Sequence, residues 1–247
     1  MKQHYEEYSN EDFEVWKILF ERQKKELSLK ASKEYNHYLN ELNKSLNADF
    51  IPRFPELNNA LMEKTNWSIE VVPGLIPVER FFELLSKRKF CSSTWIREKI
   101  QLDYLEEPDM FHDIFGHIPL LMDSEYANYM QALGQLGVNY KDHPEVIKGL
   151  RSLYWFTIEF GLMGSRENPQ IYGAGIISSF GESKHIYENK NVTVKQFDLD
   201  EILEKEIVTS EIQNLYYSVE SMSYLYDTLD NLKISLEKLS SKSKFVN

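Results

Sequence analysis

The segment 107–121, EPDMFHDIFGHIPLL, decides how the rest of the chain is read. Pro108 marks a point where a helix can begin with proline in its first turn, and a helix is expected over 111–115. Two histidines, His112 and His117, stand five residues apart around Asp113 and Gly116. An ideal helix advances about 100° per residue, so this offset leaves the two imidazoles about 140° apart rather than on one face. Gly116 and Pro119 supply the distortion or helix end that would let both rings converge. Two readings stay open from these residues alone: a metal pair, or two ordinary histidines satisfied within the fold.

Moving outward, a zinc peptidase is rejected by spacing, because its two histidines sit one helical turn apart with a glutamate as base. A third donor is offered by YWFTIEFGL (154–162), where Glu159 is embedded in an apolar and aromatic stretch. A buried carboxylate costs several kcal/mol unless a cation or partner neutralises it. The cation is a metal or an arginine such as Arg151 or Arg166. His112, His117 and Glu159 would together make the two-imidazole, one-carboxylate face that leaves iron(II) open to oxygen and substrate. With one cysteine, Cys91, the chain excludes thiolate-rich zinc and iron–sulfur sites. The remaining histidines, His4, His37, His143 and His185, lack a comparable setting and read as surface or packing residues.

Around these segments the chain reads as mainly α, a single domain over 1–247 with its core over about 8–229 and a few short strands. From Glu11 to Asn47 apolar residues recur at helical spacing, with Ser9 or Asn10 as cap. Pro52 and Pro55 interrupt before a short helix over 56–64. SIEVVPGLIP (68–77) reads as a strand ending in a Pro-Gly turn, VERFFELLSKR (78–88) as a helix, and 91–108 as irregular or short-strand structure. Helices are expected over 124–137 and 144–164, and helical character over 212–239, with 240–247 a loose tail. At 247 residues and 42% hydrophobic, one sizeable core can be buried. The net charge of -11 disfavours nucleic acid and anionic membranes, which need clustered Lys and Arg. No apolar run reaches the roughly 20 residues of a membrane span, and MKQHYEEYSNEDF has no signal-peptide core. A cytoplasmic protein acting on a small molecule is therefore expected, and the single cysteine agrees with a reducing compartment.

Four motifs in order, VVPGLIPVERFF (71–82), WIREKIQLDYLEEPDMFHDIFGHIPLL (95–121), YWFTIEFGL (154–162) and YGAGIISSFGE (172–182), resemble the pterin-dependent aromatic amino acid hydroxylases, in particular the bacterial members that act on phenylalanine. The resemblance runs from about Tyr8 to Leu229. It implies a mainly helical catalytic domain, ferrous iron, a tetrahydropterin co-substrate and dioxygen, with the ring of L-phenylalanine hydroxylated to give L-tyrosine. It makes His112, His117 and Glu159 the iron ligands, in agreement with their chemistry. It places the pterin beside Gly74, Ile76 and Phe81, with Asp113 and Tyr154 facing it; Gly74 alone would read equally as a turn after Pro73.

For the substrate, the resemblance assigns Arg97 to the amino acid carboxylate, a task suited to a planar guanidinium, with Asp109 and Ser178 holding Arg97 and the ligand backbone. Trp155, Phe160 and His117 would wall the ring, and Glu182 would act from just behind the site. Without the family, Arg97 reads as a surface ion pair. Leu105 and Glu106 depart from the animal members, which bears on fine substrate contacts rather than on the metal. Tyr216 and Tyr217 match an aromatic pair near the site mouth, although a helical setting would equally make them core. No N-terminal regulatory domain or tetramerisation helix is evident, so a monomer is expected. Tryptophan, tyrosine or the meta carbon of phenylalanine remain alternative targets. A non-enzymatic helical binding module is a remote one, and a 2-oxoglutarate oxygenase is disfavoured by the absence of a β-rich scaffold and a His-x-Asp pair.

Overall fold

Ser9 opens the first long helix, α1 (Asn10–Leu27), through a reciprocal cap: its hydroxyl accepts from the Asp12 N–H, and the Asp12 carboxylate accepts from the Ser9 N–H. Val15, Trp16, Leu19, Phe20 and Leu27 then bury one stripe of α1 completely or nearly so. The computed structural model describes residues 1–242 apart from Tyr104, Glu106, Arg166 and Ser210. Next come α2 (Lys33–Glu41) and α3 (Phe54–Thr65), the latter with Pro55 in its first turn. The strand β1 (Ser68–Val71), the helix α4 (Val78–Ser86) and the strand β2 (Lys89–Ser92) form a crossover unit in which β1 and β2 pair in parallel.

After a widened helical turn at His112–His117 the chain continues as α5 (Ile118–Leu121), α6 (Ser124–Asn139) and α7 (Pro144–Tyr154). The strands β3 (Gly161–Met163) and β4 (Gln170–Ile171) follow, then α8 (Ala174–Ile177), α9 (Phe180–Glu188), β5 (Thr193–Gln196), α10 (Leu199–Glu204), β6 (Leu215–Val219), α11 (Met222–Asp227) and α12 (Leu229–Lys242). A four-stranded sheet has the order β4-β3-β6-β5, antiparallel between β3 and β4 and parallel elsewhere. One hydrophobic cluster runs from Val15 to Leu236 and joins helices and sheet. No described helix is long and apolar enough to cross a membrane.

Mainly helical architecture with short strands agrees with the sequence reading, and four local expectations are corrected. The helix expected over 111–115 is a widened turn that extends to His117. That expected over 144–164 stops at Tyr154, widens over Trp155–Glu159 and becomes β3. A Cβ on Gly161 would lie 2.1 Å from the Thr157 carbonyl oxygen, so only glycine lets the backbone turn there into the sheet. The start of 212–239 is the strand β6, whose Tyr216, Tyr217, Ser218 and Val219 are all buried between β3 and β5. A strand covered on both faces carries no alternation to distinguish it from helix. Finally, α12 carries residues 240–242 of the expected loose tail, and 243–247 lie outside the described residues.

The helices α4 and α6 approach closely at Gly134, which meets α4 backbone, and at Gly137, which meets the Phe82 ring. An ideal Cβ at Gly134 would stand 2.3 Å from the Ser86 nitrogen, and one at Gly137 would stand 2.2 Å from the Phe82 ring. Gly134→Ala gains about 1 kcal/mol of helix propensity, but it meets backbone that cannot step aside. A net loss of about 1–3 kcal/mol, the usual range for overpacking, is expected in denaturant unfolding. A stabilised variant would show that α4 and α6 separate at no cost.

Candidate metal centre and adjoining pockets

Both segments that carry the metal-ligand candidates depart from α-helical hydrogen bonding in the same way. His112–His117 and Trp155–Glu159 are π-helical turns, and in the second the Phe160 N–H donates to the Trp155 carbonyl at 2.8 Å, five residues back. Wider turns bring residues five apart onto one side, which resolves the 140° offset that ordinary helix geometry imposes on His112 and His117. The first turn is held by its surroundings. The Asp109 carboxylate accepts from the His112 N–H at 3.0 Å, and the buried Tyr35 hydroxyl donates to the Phe115 carbonyl at 2.8 Å. Phe111 and Phe115 stack at 4.8 Å, wedged against Trp16 and Phe20 of α1.

The three donors converge. His112 Nε2 and His117 Nε2 are 3.3 Å apart, Glu159 Oε1 is 3.2 Å from His117 Nε2, and Glu159 Oε2 is 3.6 Å from His112 Nε2. Two donors at right angles about a small divalent ion, each about 2.1 Å from it, stand about 3.0 Å apart, so the spacings of 3.2–3.6 Å among the two imidazoles and the carboxylate suit donors on one side of such an ion. His112 Nδ1 shares a 2.8 Å hydrogen bond with Ser178 Oγ; with the proton on Nδ1, the Nε2 lone pair faces the other donors. His117 Nδ1 is buried with no partner, and the His117 ring packs on Phe90 at 4.5 Å. Burial pushes His112 down to about 4 despite the pull of Glu159. Burial alone would raise Glu159, but the two imidazoles and the Tyr154 hydroxyl outweigh it and hold it low. Two imidazoles and one carboxylate held low are therefore gathered in a sheltered place, a donor set that suits a divalent cation. Glu159 faces these histidines rather than Arg151, and Arg166 lies outside the described residues.

Of the residues expected beside a flat cofactor, Phe81 and Tyr154 come together edge to face at 5.0 Å. Asp113 accepts from the Ser93 N–H at 2.9 Å, and burial raises its carboxyl well above the usual range. Gly74 and Ile76 lie in the partly exposed loop that links β1 to α4. Their neighbour Leu75 donates its N–H to Glu107. Cys91, on β2 near Asp113, is pushed up to about 12 by burial and is no nucleophile at neutral pH.

Arg97 is not a surface ion pair: it is 5% exposed and its partner Asp109 is 0% exposed. Arg97 Nε and Nη2 each donate to Asp109 at 2.8 Å, in fork geometry. Among the described residues nothing hydrogen-bonds Nη1. Ser178, expected with Asp109 to hold Arg97 and the ligand backbone, shares its hydroxyl hydrogen bond with His112. Trp155 and Phe160 stand together, ring centroids 4.5 Å apart. Glu182 is buried, accepting from Tyr216 Oη at 2.7 Å and from the Gln213 N–H at 3.1 Å. Tyr216 and Tyr217 are buried on β6, and Glu106 lies outside the described residues. Sequence reasoning missed Phe90, Ser93 and Gln213; the step from charged Lys89 to apolar Phe90 in KFCS is the local sequence signal for an inward-facing Phe90, which β2 buries.

The chain matches the family model described as biopterin-dependent aromatic amino acid hydroxylase over residues 3–242. It is 42% identical over 220 residues to phenylalanine-4-hydroxylase of Chromobacterium violaceum, covering 89% of this chain and 73% of that one. With the Caulobacter vibrioides phenylalanine-4-hydroxylase the identity is 37% over 242 residues, covering 98% and 81%. A crystal structure of the Chromobacterium violaceum enzyme with bound iron(III) and oxidised 7,8-dihydrobiopterin matches at TM-score 0.89 and 40% identity, covering 96% of this chain and 86% of that chain.

Proposed function

The chain belongs to the biopterin-dependent aromatic amino acid hydroxylases, and from that membership we propose that it hydroxylates the ring of L-phenylalanine to L-tyrosine, using iron(II), a tetrahydropterin and dioxygen. The observation that carries this reading is the convergence of His112, His117 and Glu159 within 4.8 Å, with an arginine–aspartate fork and an aromatic wall beside them. In this reading the three donors hold iron(II). Bound iron and the reduced pterin supply the oxygen-activating chemistry, while the protein orients its partners and excludes water.

Arg97, kept in plane by Asp109, offers its remaining Nη1 to the substrate carboxylate. Trp155, Phe160 and the His117 ring shape the slot for the substrate ring. Phe81 and Tyr154 provide an aromatic surface for the pterin, with the backbone around Gly74 and Ile76 at its edge and Asp113 facing it. Ser178 holds the His112 ring, and Glu182 acts through the residues it binds. A cytoplasmic monomer completes the proposal.

Protein loaded with ferrous iron and given a tetrahydropterin, oxygen and each aromatic amino acid in turn should form para-tyrosine from phenylalanine, with no product when iron or pterin is withheld. Chromatography against para-tyrosine, meta-tyrosine and 5-hydroxytryptophan standards reads the outcome. A meta product, or turnover of tryptophan alone, would move the substrate assignment, and no product from iron-loaded protein would overturn the reading.

A further inference from the structure

Gln213 sits at the end of the segment that joins α10 to β6, is 7% exposed, and has every polar atom of its side-chain amide engaged. Nε2 donates to the Val208 carbonyl at 2.7 Å and to the Glu211 carbonyl at 3.1 Å. Oε1 accepts from the Trp155 indole Nε1–H at 3.3 Å. The orientation of this amide follows from chemistry, because carbonyls only accept and an indole N–H only donates; turning the amide over would break all three bonds. The backbone N–H of Gln213 is anchored in turn by Glu182 Oε1 at 3.1 Å, and the other Glu182 oxygen accepts from Tyr216 Oη. The indole N–H is the sole hydrogen-bonding group of the Trp155 side chain. With one face near Phe160, that bond fixes the remaining rotation of the ring.

We propose that Gln213 is a positioning residue for the substrate ring: seated by Glu182, it locks the plane of the Trp155 indole and thereby the width of the slot. The inference rests on the reading of Trp155 as a wall of that slot. Gln213 has no direct contact with substrate in it and acts only through the indole.

The test is a double-mutant cycle on the iron-loaded enzyme with phenylalanine and a tetrahydropterin. Gln213→Leu should raise KM for phenylalanine about three- to tenfold, the scale of one neutral hydrogen bond, and lower the tyrosine formed per pterin oxidised, with a smaller change in kcat. Trp155→Phe keeps a ring but removes the indole N–H, and should reproduce the loss of coupling by itself. Adding Gln213→Leu to Trp155→Phe should then change neither quantity further. Equal losses in both backgrounds would reduce Gln213 to a structural role and overturn the proposal. So would parent-like KM and coupling in Trp155→Phe, a variant that tests the bond even if Gln213→Leu fails to fold. Absence of tyrosine from the parent enzyme is a separate outcome that removes the premise. Denaturation midpoints of the same four proteins read the Gln213–Trp155 coupling without reference to activity.

Discussion

Glu159→Gln should release ferrous iron and end hydroxylation, and it should also cost the metal-free protein some stability at neutral pH. Glu159 is the one anion among the three converging donors, set 3.2 Å from His117 Nε2 and 3.6 Å from His112 Nε2. An amide in its place offers a weaker neutral oxygen and turns N–H groups toward the ion or a neighbour. Removing a residue that merely supports a ligand costs about 10–100-fold in metal affinity, so losing the charged ligand itself should cost at least about a hundredfold. Without metal the two imidazoles and Tyr154 still outweigh the burial of this carboxylate and hold it low, so replacing it removes stability that the anion contributes at neutral pH. Iron titration, turnover and the unfolding midpoint of the metal-free protein are the three readouts. Near-normal turnover by this variant would refute the assignment of the third ligand.

Arg97→Met carries the second large effect, and here stability should fall before catalysis is even asked for. Breaking a buried ion pair by removing one partner costs about 3–5 kcal/mol, a large share of the roughly 5–15 kcal/mol that holds an ordinary domain together. Asp109, 0% exposed, would keep its bonds to the Arg97 and His112 backbone N–H groups but lose the fork that neutralises it. Because Asp109 also caps the widened turn at His112, weakened iron binding should accompany the lost stability. Arg97→Lys separates the roles: it retains a cation near Asp109 but cannot serve two carboxylates in one plane. It should raise KM for phenylalanine by about tenfold or more, the worth of a charge-assisted hydrogen bond, with a smaller loss of stability. An unfolding loss under about 1 kcal/mol for Arg97→Met would show that the pair is solvated and worth no more than a surface bridge.

The chemistry of the centre was more legible than its architecture. His112, His117 and Glu159 announce themselves because imidazoles and an isolated acid are rare enough in apolar text to demand an explanation. The geometry that unites them does not, since a rule built on 3.6 residues per turn separates His112 from His117. Extra width in a turn is decided by tertiary partners such as Tyr35, 80 residues from the Phe115 carbonyl it binds, which no local window contains. Likewise β6 reads as helix because burial on both faces erases its alternation. Ser178 lies in the expected neighbourhood, and its hydrogen bond to His112 spans 66 residues of chain that no local reading joins. Ser9, by contrast, caps α1 as its sequence suggests, because capping needs only four consecutive residues.

The paired π turns make metal occupancy and helix register parts of one equilibrium. A helix spaced at five residues gives up favourable hydrogen-bond geometry, and the return on that sacrifice is largest when a cation draws the three donors together. Emptying the centre should therefore loosen two stretches distant in sequence, 112–117 and 155–159, as a unit. Amide exchange would see both slow in concert when iron is added back. The backbone of these two turns would then be a gauge of how full the centre is, readable far from the reacting atoms.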